Sequence, residues 1–165
     1  MINHVFAYFT VQTNIFSTAI FLALIIKTIV VSTKSKKLEE VDINPTLHLA
    51  CTFYITITMV VYWFVLTPMT GFAIRPIVVA NTLFLHLFTP LLAIFDSLFF
   101  AKHGKVKLKD SLKWLTYPVI YLISVIIIAN VITEPYYTVK IHGNNIGLMY
   151  PYPFLDPQIV TVWSI

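Results

Sequence analysis

The stretch Leu112 to Ile132, LKWLTYPVIYLISVIIIANVI, decides the fold. Its one charge, Lys113, stands at the edge, and no charged residue follows it in the run. As a helix rising 1.5 Å per residue it reaches about 30 Å, the thickness of a bilayer's hydrocarbon core. Backbone groups left unpaired in hydrocarbon are prohibitively costly, so a run of this kind must be helical where it crosses. Three more runs of the same character precede it, from about Tyr8 to Ser32, Leu47 to Leu66 and Ile77 to Phe100. The sequence therefore predicts an all-α, polytopic transmembrane helix bundle with four full spans, forming one domain over residues 1–165.

The whole composition agrees. Apolar residues make up 58% of the chain and charged ones 11%, with a mean hydropathy of +0.84. A soluble domain carries about a quarter charged residues, because water must wet its surface. The net charge of +4 does not describe a nucleic-acid binder, because the lysines sit in short loops rather than on a basic face. A lone cysteine, Cys51, excludes an internal disulfide and any Cys-rich metal site, and its apolar setting marks it as a small packing residue. The first apolar run lacks a preceding Lys or Arg and is too long for a signal peptide's core, so it reads as a span.

Charge in the loops sets the orientation. Lys34, Lys36 and Lys37 follow the first span, and Lys102, Lys105, Lys107 and Lys109 follow the third. The second connection holds only Arg75, and the stretch after the fourth span only Lys140. Lysine-rich loops face the cytoplasm, so the N-terminus and everything after Ile132 fall on the outer side of a multi-pass cell-membrane protein. Residues 133–156 read as an outer-side aromatic loop, its tyrosines suited to the headgroup region. Asp156-Pro157 has the form of a helix start, with Asp as cap and Pro at the first helical position. Residues 157–165 then read as the beginning of a truncated helix, and the reading frame is expected to encode a further apolar span.

Polar residues inside a span are costly and point to function. Thr10, Thr13 and Asn14 share one helix face in the first span, being spaced i, i+3 and i+4. The third span carries Asn81, Thr82, His86, Thr89, Pro90 and Asp96, and the fourth Pro118, Ser124 and Asn130. Much of this has an architectural explanation. Thr and Ser bond the carbonyl one turn back, Asn bridges helices, and the prolines make kinks. Asp96 lies close enough to Lys102 to pair with a loop lysine near the headgroups. His86, the only histidine well inside a span, also offers a base that titrates near neutrality. Counted from Lys27 and Lys102, Thr10 and His86 both lie about 25 Å above the inner boundary, in the outer half of the bundle. Asp96 stands about 15 Å along the helix from His86, so the two do not make a metal site, and no cofactor signature is present.

Three stretches together resemble the androgen-induced and androgen-dependent transmembrane proteins and their bacterial six-helix relatives. They are Tyr8-Phe9-Thr10 at the head of a helix, the series Asn81, His86, Pro90 and Asp96, and Tyr150-Pro151-Tyr152-Pro153-Phe154-Leu155-Asp156. The Asn and the Pro each stand one position from the animal members' spacing. The resemblance implies that this chain covers helices two to five of six. From the animal members it also implies an intramembrane hydrolase of lipid (fatty acid ester) substrates, there fatty acid esters of hydroxy fatty acids, with Thr10 as nucleophile and His86 as base. A weak threonine nucleophile needs such a base, and Asn14 or Asn81 are the candidate supporting polar groups for the oxyanion. The partners are then the bilayer and a lipid-like substrate, while the sequence leaves the oligomeric state open. The rival reading is a non-catalytic membrane protein, either a lipid-binding scaffold or a small-molecule transporter, in which Thr10 and His86 only hold helices together. A transporter would favour an internal repeat or paired broken helices, and no repeat stands out in the sequence.

Overall fold

In the computed structural model, which describes residues 6–34, 44–71, 76–101, 104, 106–132, 134–135, 137–141 and 144–159, four helices are long and apolar enough to cross a membrane. They are α1 (Phe9–Thr33), α2 (Pro45–Thr70), α3 (Pro76–Phe99) and α4 (Lys109–Val131). Their outward faces carry Ile25, Phe64, Leu92, Ile127 and Val131, each more than half exposed. Apolar patches of that extent are at home against lipid, not water. The protein is an all-α transmembrane bundle.

Helix α2 is the hub, packing against α1, α3 and α4. Its start follows from Asn44 and Pro45: the Asn44 side chain accepts the backbone N–H groups of Thr46 and Leu47 at 3.0 and 3.4 Å, and proline fits the first helical position. The contact with α1 is made by small and polar groups that let the backbones approach. Thr13 Oγ1 meets Thr58 Oγ1 at 2.8 Å, and Ser17 Oγ meets Cys51 Sγ at 3.2 Å, all four residues being buried. Thr13 is thus a bridge between helices. Ser124 and Asn130, by contrast, lie exposed and donate to the Ile120 and Ile126 carbonyls of their own helix, so among the described residues Asn130 bridges no helices.

The sequence reading ended the second span at Leu66, but α2 continues to Thr70 through Thr67-Pro68. A proline ring crowds the carbonyl four residues earlier and supplies no N–H. Here the helix widens just before it, into a π-turn over Tyr62–Leu66 in which the Thr67 N–H bonds the Tyr62 carbonyl. Helix α3 repeats the device over Phe84–Phe88, again followed by Thr-Pro, with the Thr89 N–H on the Phe84 carbonyl. In α4 the helix breaks instead at Leu115, three residues before Pro118.

Among the described residues the partner of Asp96 is a histidine of another helix. The Asp96 Oδ2 lies 2.6 Å from Nε2 of His48, which is buried at the start of α2, so the pair ties α2 to α3 at the end far from Thr10. Lys102 lies outside the described residues.

The aromatic loop contains a two-stranded antiparallel hairpin, β1 (Tyr137–Ile141) with β2 (Asn144–Leu148), in which Tyr137 faces Leu148 and Val139 faces Ile146. This face packs with Ile159, Ala7, Tyr8 and Met69, covering the ends of α1 and α2. Gly147 permits it, because a Cβ there would stand 2.7 Å from the Pro135 Cβ. Asp156 does cap a short helical turn, its Oδ1 accepting the Gln158 N–H at 3.1 Å. Residues 160–165 of the expected truncated helix lie outside the described residues.

Candidate functional site

Helix α1 begins without a capping side chain of its own, since Tyr8 makes no such bond. Its first N–H groups need partners, and two tyrosine hydroxyls from distant parts of the chain supply them. The Phe9 N–H donates to the Tyr121 hydroxyl and the Thr10 N–H to the Tyr152 hydroxyl, both at 3.2 Å. Tyr121 in turn donates to the Ala7 carbonyl at 2.8 Å. Around these bonds the rings close in. Tyr8 sits edge-on to Tyr137 and Tyr152, with centroids 5.9 and 5.7 Å away, and Phe9 packs on Tyr117 and Tyr121.

This cap brings the Tyr152 hydroxyl to 3.4 Å from Thr10 Oγ1. Tyr152 is buried, and burial pushes its phenol above the usual tyrosine range, with the Thr10 bonds acting in the opposite direction. The group stays protonated and remains a hydrogen-bond donor.

His86 is positioned by the π-turn of α3. Shifting the Thr89 N–H to the Phe84 carbonyl takes the helical donor away from the Leu85 carbonyl, and Pro90 has no N–H for the His86 carbonyl. Both acceptors are served from other helices. Asn14 Nδ2 donates to the Leu85 carbonyl at 3.2 Å, and Trp63 Nε1 donates to the His86 carbonyl at 2.9 Å. The imidazole stacks on the ring of Tyr62 with centroids 3.7 Å apart and planes at 25°. Its Nδ1 lies 3.2 Å from the Thr82 carbonyl. A carbonyl can only accept, so Nδ1 carries the proton, and in the neutral ring the lone pair sits on Nε2.

Thr10 and His86, far apart in sequence, line one cavity of about 820 Å³ together with Tyr8, Tyr62, Thr82 and Tyr152. The hairpin forms one of its walls through Thr138, Val139 and Leu148. Of the supporting residues expected from sequence, Asn14 is buried but committed: its amide donates to the Thr10 carbonyl at 2.8 Å as well as to Leu85. One amide nitrogen thus serves two carbonyls, and Asn14 orients the α3 turn. Asn81 is exposed on α3 and lines neither this cavity nor the smaller one beside it. The group that does approach Thr10 is Tyr152, which sequence reasoning quoted within the Tyr-Pro-Tyr-Pro-Phe run and gave no role. Among the described residues no three His, Cys, Asp or Glu side chains gather as a metal site would require.

Comparison of the chain with protein-family models, curated proteins and solved structures finds no match.

Proposed function

We propose that this protein is a cell-membrane hydrolase of lipid esters, with Thr10 as nucleophile, His86 as base and Tyr152 as the donor to the oxyanion. One observation carries the reading: a threonine hydroxyl and an imidazole with its lone pair on Nε2 share a single cavity at one end of the bundle. The family likeness of the three quoted stretches supports it, and the lysine-poor loops put that end on the outer side, where water is at hand.

In the first step Thr10 Oγ1 attacks the ester carbonyl carbon and its proton passes to His86 Nε2. Tyr152 donates to the oxyanion that forms. The tetrahedral intermediate collapses and the C–O bond to the alcohol breaks. The alkoxide oxygen leaves with the electron pair and takes the proton from His86 Nε2. Water then attacks the acyl-threonine while His86 Nε2 accepts its proton. The intermediate collapses to the free fatty acid, and His86 returns the proton to Thr10 Oγ1.

A second reading has its own support. Two successive spans carry the same π-turn followed by Thr-Pro, and the turns meet where Tyr62 stacks on His86. Paired helix irregularities of this kind also suit a small-molecule binding or transport protein. The test is hydrolysis of a fluorogenic long-chain ester by the purified protein in nanodiscs, together with labelling by a lipophilic fluorophosphonate. The hydrolase reading requires Thr10→Ala to abolish both signals. Ligand binding without turnover or labelling in the wild type selects the second reading.

A further inference from the structure

In the proposed reaction His86 becomes an imidazolium each time its Nε2 takes a proton, and that charge needs a partner. In a Ser-His-Asp triad the carboxylate on Nδ1 does two things: it fixes the tautomer and it stabilises the cation. Here the Thr82 carbonyl, 3.2 Å from Nδ1, fixes the tautomer, but it carries no charge. None of the described residues lining the cavity is Asp or Glu. Asp96, on the same helix, is engaged with His48 at the other end of the bundle.

What faces the imidazole is the ring of Tyr62. With centroids 3.7 Å apart and planes at 25°, the imidazole lies over the face of the phenol ring, inside the distance of about 6 Å at which such a face attracts a cation. The π-system is negative on its face, so a stack that is close contact for the neutral imidazole becomes an attraction once Nε2 is protonated. Two features hold the rings together. The Tyr62 carbonyl accepts the Thr67 N–H and also, at 3.0 Å, the Thr67 hydroxyl, which pins the turn that carries the phenol. The next residue, Trp63, donates to the His86 carbonyl at 2.9 Å. Helix α2 thus grips one residue of α3 by its backbone and by its ring, and nothing has to reorganise when the charge appears. Building on the hydrolase reading, we infer that Tyr62 is a positioning residue that takes the carboxylate's second task, its ring face stabilising the His86 imidazolium. Tyr62 exchanges no proton in either half-reaction, so its hydroxyl is dispensable and its ring electrons are not.

The experiment uses the full chain in nanodiscs, with position 62 occupied in turn by Tyr, Phe and phenylalanines bearing one, two and three ring fluorines. Each fluorine draws electron density from the ring face and scarcely alters its size. Two rates are read: hydrolysis of a fluorogenic long-chain ester, and labelling by the lipophilic fluorophosphonate, which includes no product release. Tyr62→Phe should keep nearly the wild-type rates, and the trifluorinated ring should be slower than Phe by about tenfold, with the others in order between. A ring that only packs gives a flat series, because its shape is kept, and a loss in Tyr62→Leu alone. Rates that ignore fluorination while Thr10→Ala still abolishes them overturn the inference and leave the hydrolase reading intact. A loss already complete in Tyr62→Phe assigns the role to the hydroxyl and overturns it as well. Turnover that survives Thr10→Ala, or is absent from the wild type, sinks the hydrolase reading and this inference together.

Discussion

Trp63→Phe should destabilise the protein far more in the presence of Pro90 than in its absence. Trp63 Nε1 is the donor that reaches the His86 carbonyl at 2.9 Å, a carbonyl that Pro90 deprives of its helical N–H. Removing the indole leaves that part-buried acceptor without its bond. An orphaned buried group costs about 1–3 kcal/mol, whereas hydrogen bonds between membrane helices average about 0.6 and reach about 1.7 kcal/mol. The upper part of the membrane range applies, because the usual escape for a lost partner is the helix's own ladder and Pro90 blocks it. We expect a loss of about 1–2 kcal/mol. Pro90→Ala restores an N–H that can bond the His86 carbonyl as an ordinary α-helix does, although it leaves a small void where the buried ring was. In that background Trp63→Phe should cost only its lost packing. The double-mutant cycle removes the packing and void contributions common to both backgrounds, and should leave a coupling of about 1 kcal/mol or more. Reversible unfolding in mixed micelles measures it. A coupling within error of zero would refute the account of the π-turn as a site of released carbonyls served from α1 and α2.

The remaining predictions concern chemistry and topology. Tyr152→Phe keeps the ring but removes the hydroxyl near Thr10, and should lower kcat on a lipid ester by about 10²-fold or more; a kcat near wild type would reduce Tyr152 to a helix cap. His86→Ala should slow turnover by about 10²-fold or more, and Thr10→Ser should keep part of the activity that Thr10→Ala loses. Thr13→Ala breaks the buried bond to Thr58, so it should cost about 1 kcal/mol of stability while only reducing hydrolysis; complete loss of turnover in a folded Thr13→Ala would transfer the nucleophile's role to Thr13. Cysteines placed at 36 and 105 should be shielded from an impermeant thiol reagent in intact cells and one at 144 should react, and the reverse pattern would invert the membrane orientation.

The spans were legible because the bilayer imposes a length and a polarity that no other solvent does. Long runs almost free of charge, with lysines in the loops after the first and third, mark them without reference to packing. The common depth of Thr10 and His86 was also legible, since position along a helix follows from a fixed rise and both were counted from lysines. What the spans do to each other was not legible, because interhelical contacts depend on which faces turn inward. The His48–Asp96 pair needed α2 and α3 to meet at one particular end, and the local alternative, Lys102, stood closer in sequence. The hairpin was readable in principle: Tyr137 and Val139 alternate with polar residues, and Gly143-Asn144 offers a turn, but the tyrosines alone also suit a headgroup loop.

The π-turns show where a rule read singly misleads. Read alone, a proline in a span predicts a kink, and α2 instead runs on through Thr67-Pro68 to Thr70. The informative unit is longer: aromatic residues, then Thr-Pro, occurring in two consecutive spans as Tyr62-Trp63-Phe64-Val65-Leu66-Thr67-Pro68 and Phe84-Leu85-His86-Leu87-Phe88-Thr89-Pro90. Each proline removes a donor, and each π-turn moves the ladder so that released carbonyls must be met from outside the helix. In α3 the donors that meet them, Asn14 and Trp63, come from α1 and α2. The residues that look like candidate oxyanion donors or aromatic filler are therefore the ones that fix His86 in the cavity wall. Intramembrane Asn and Trp should accordingly be weighed first against the carbonyls that nearby prolines release, and only then against a substrate.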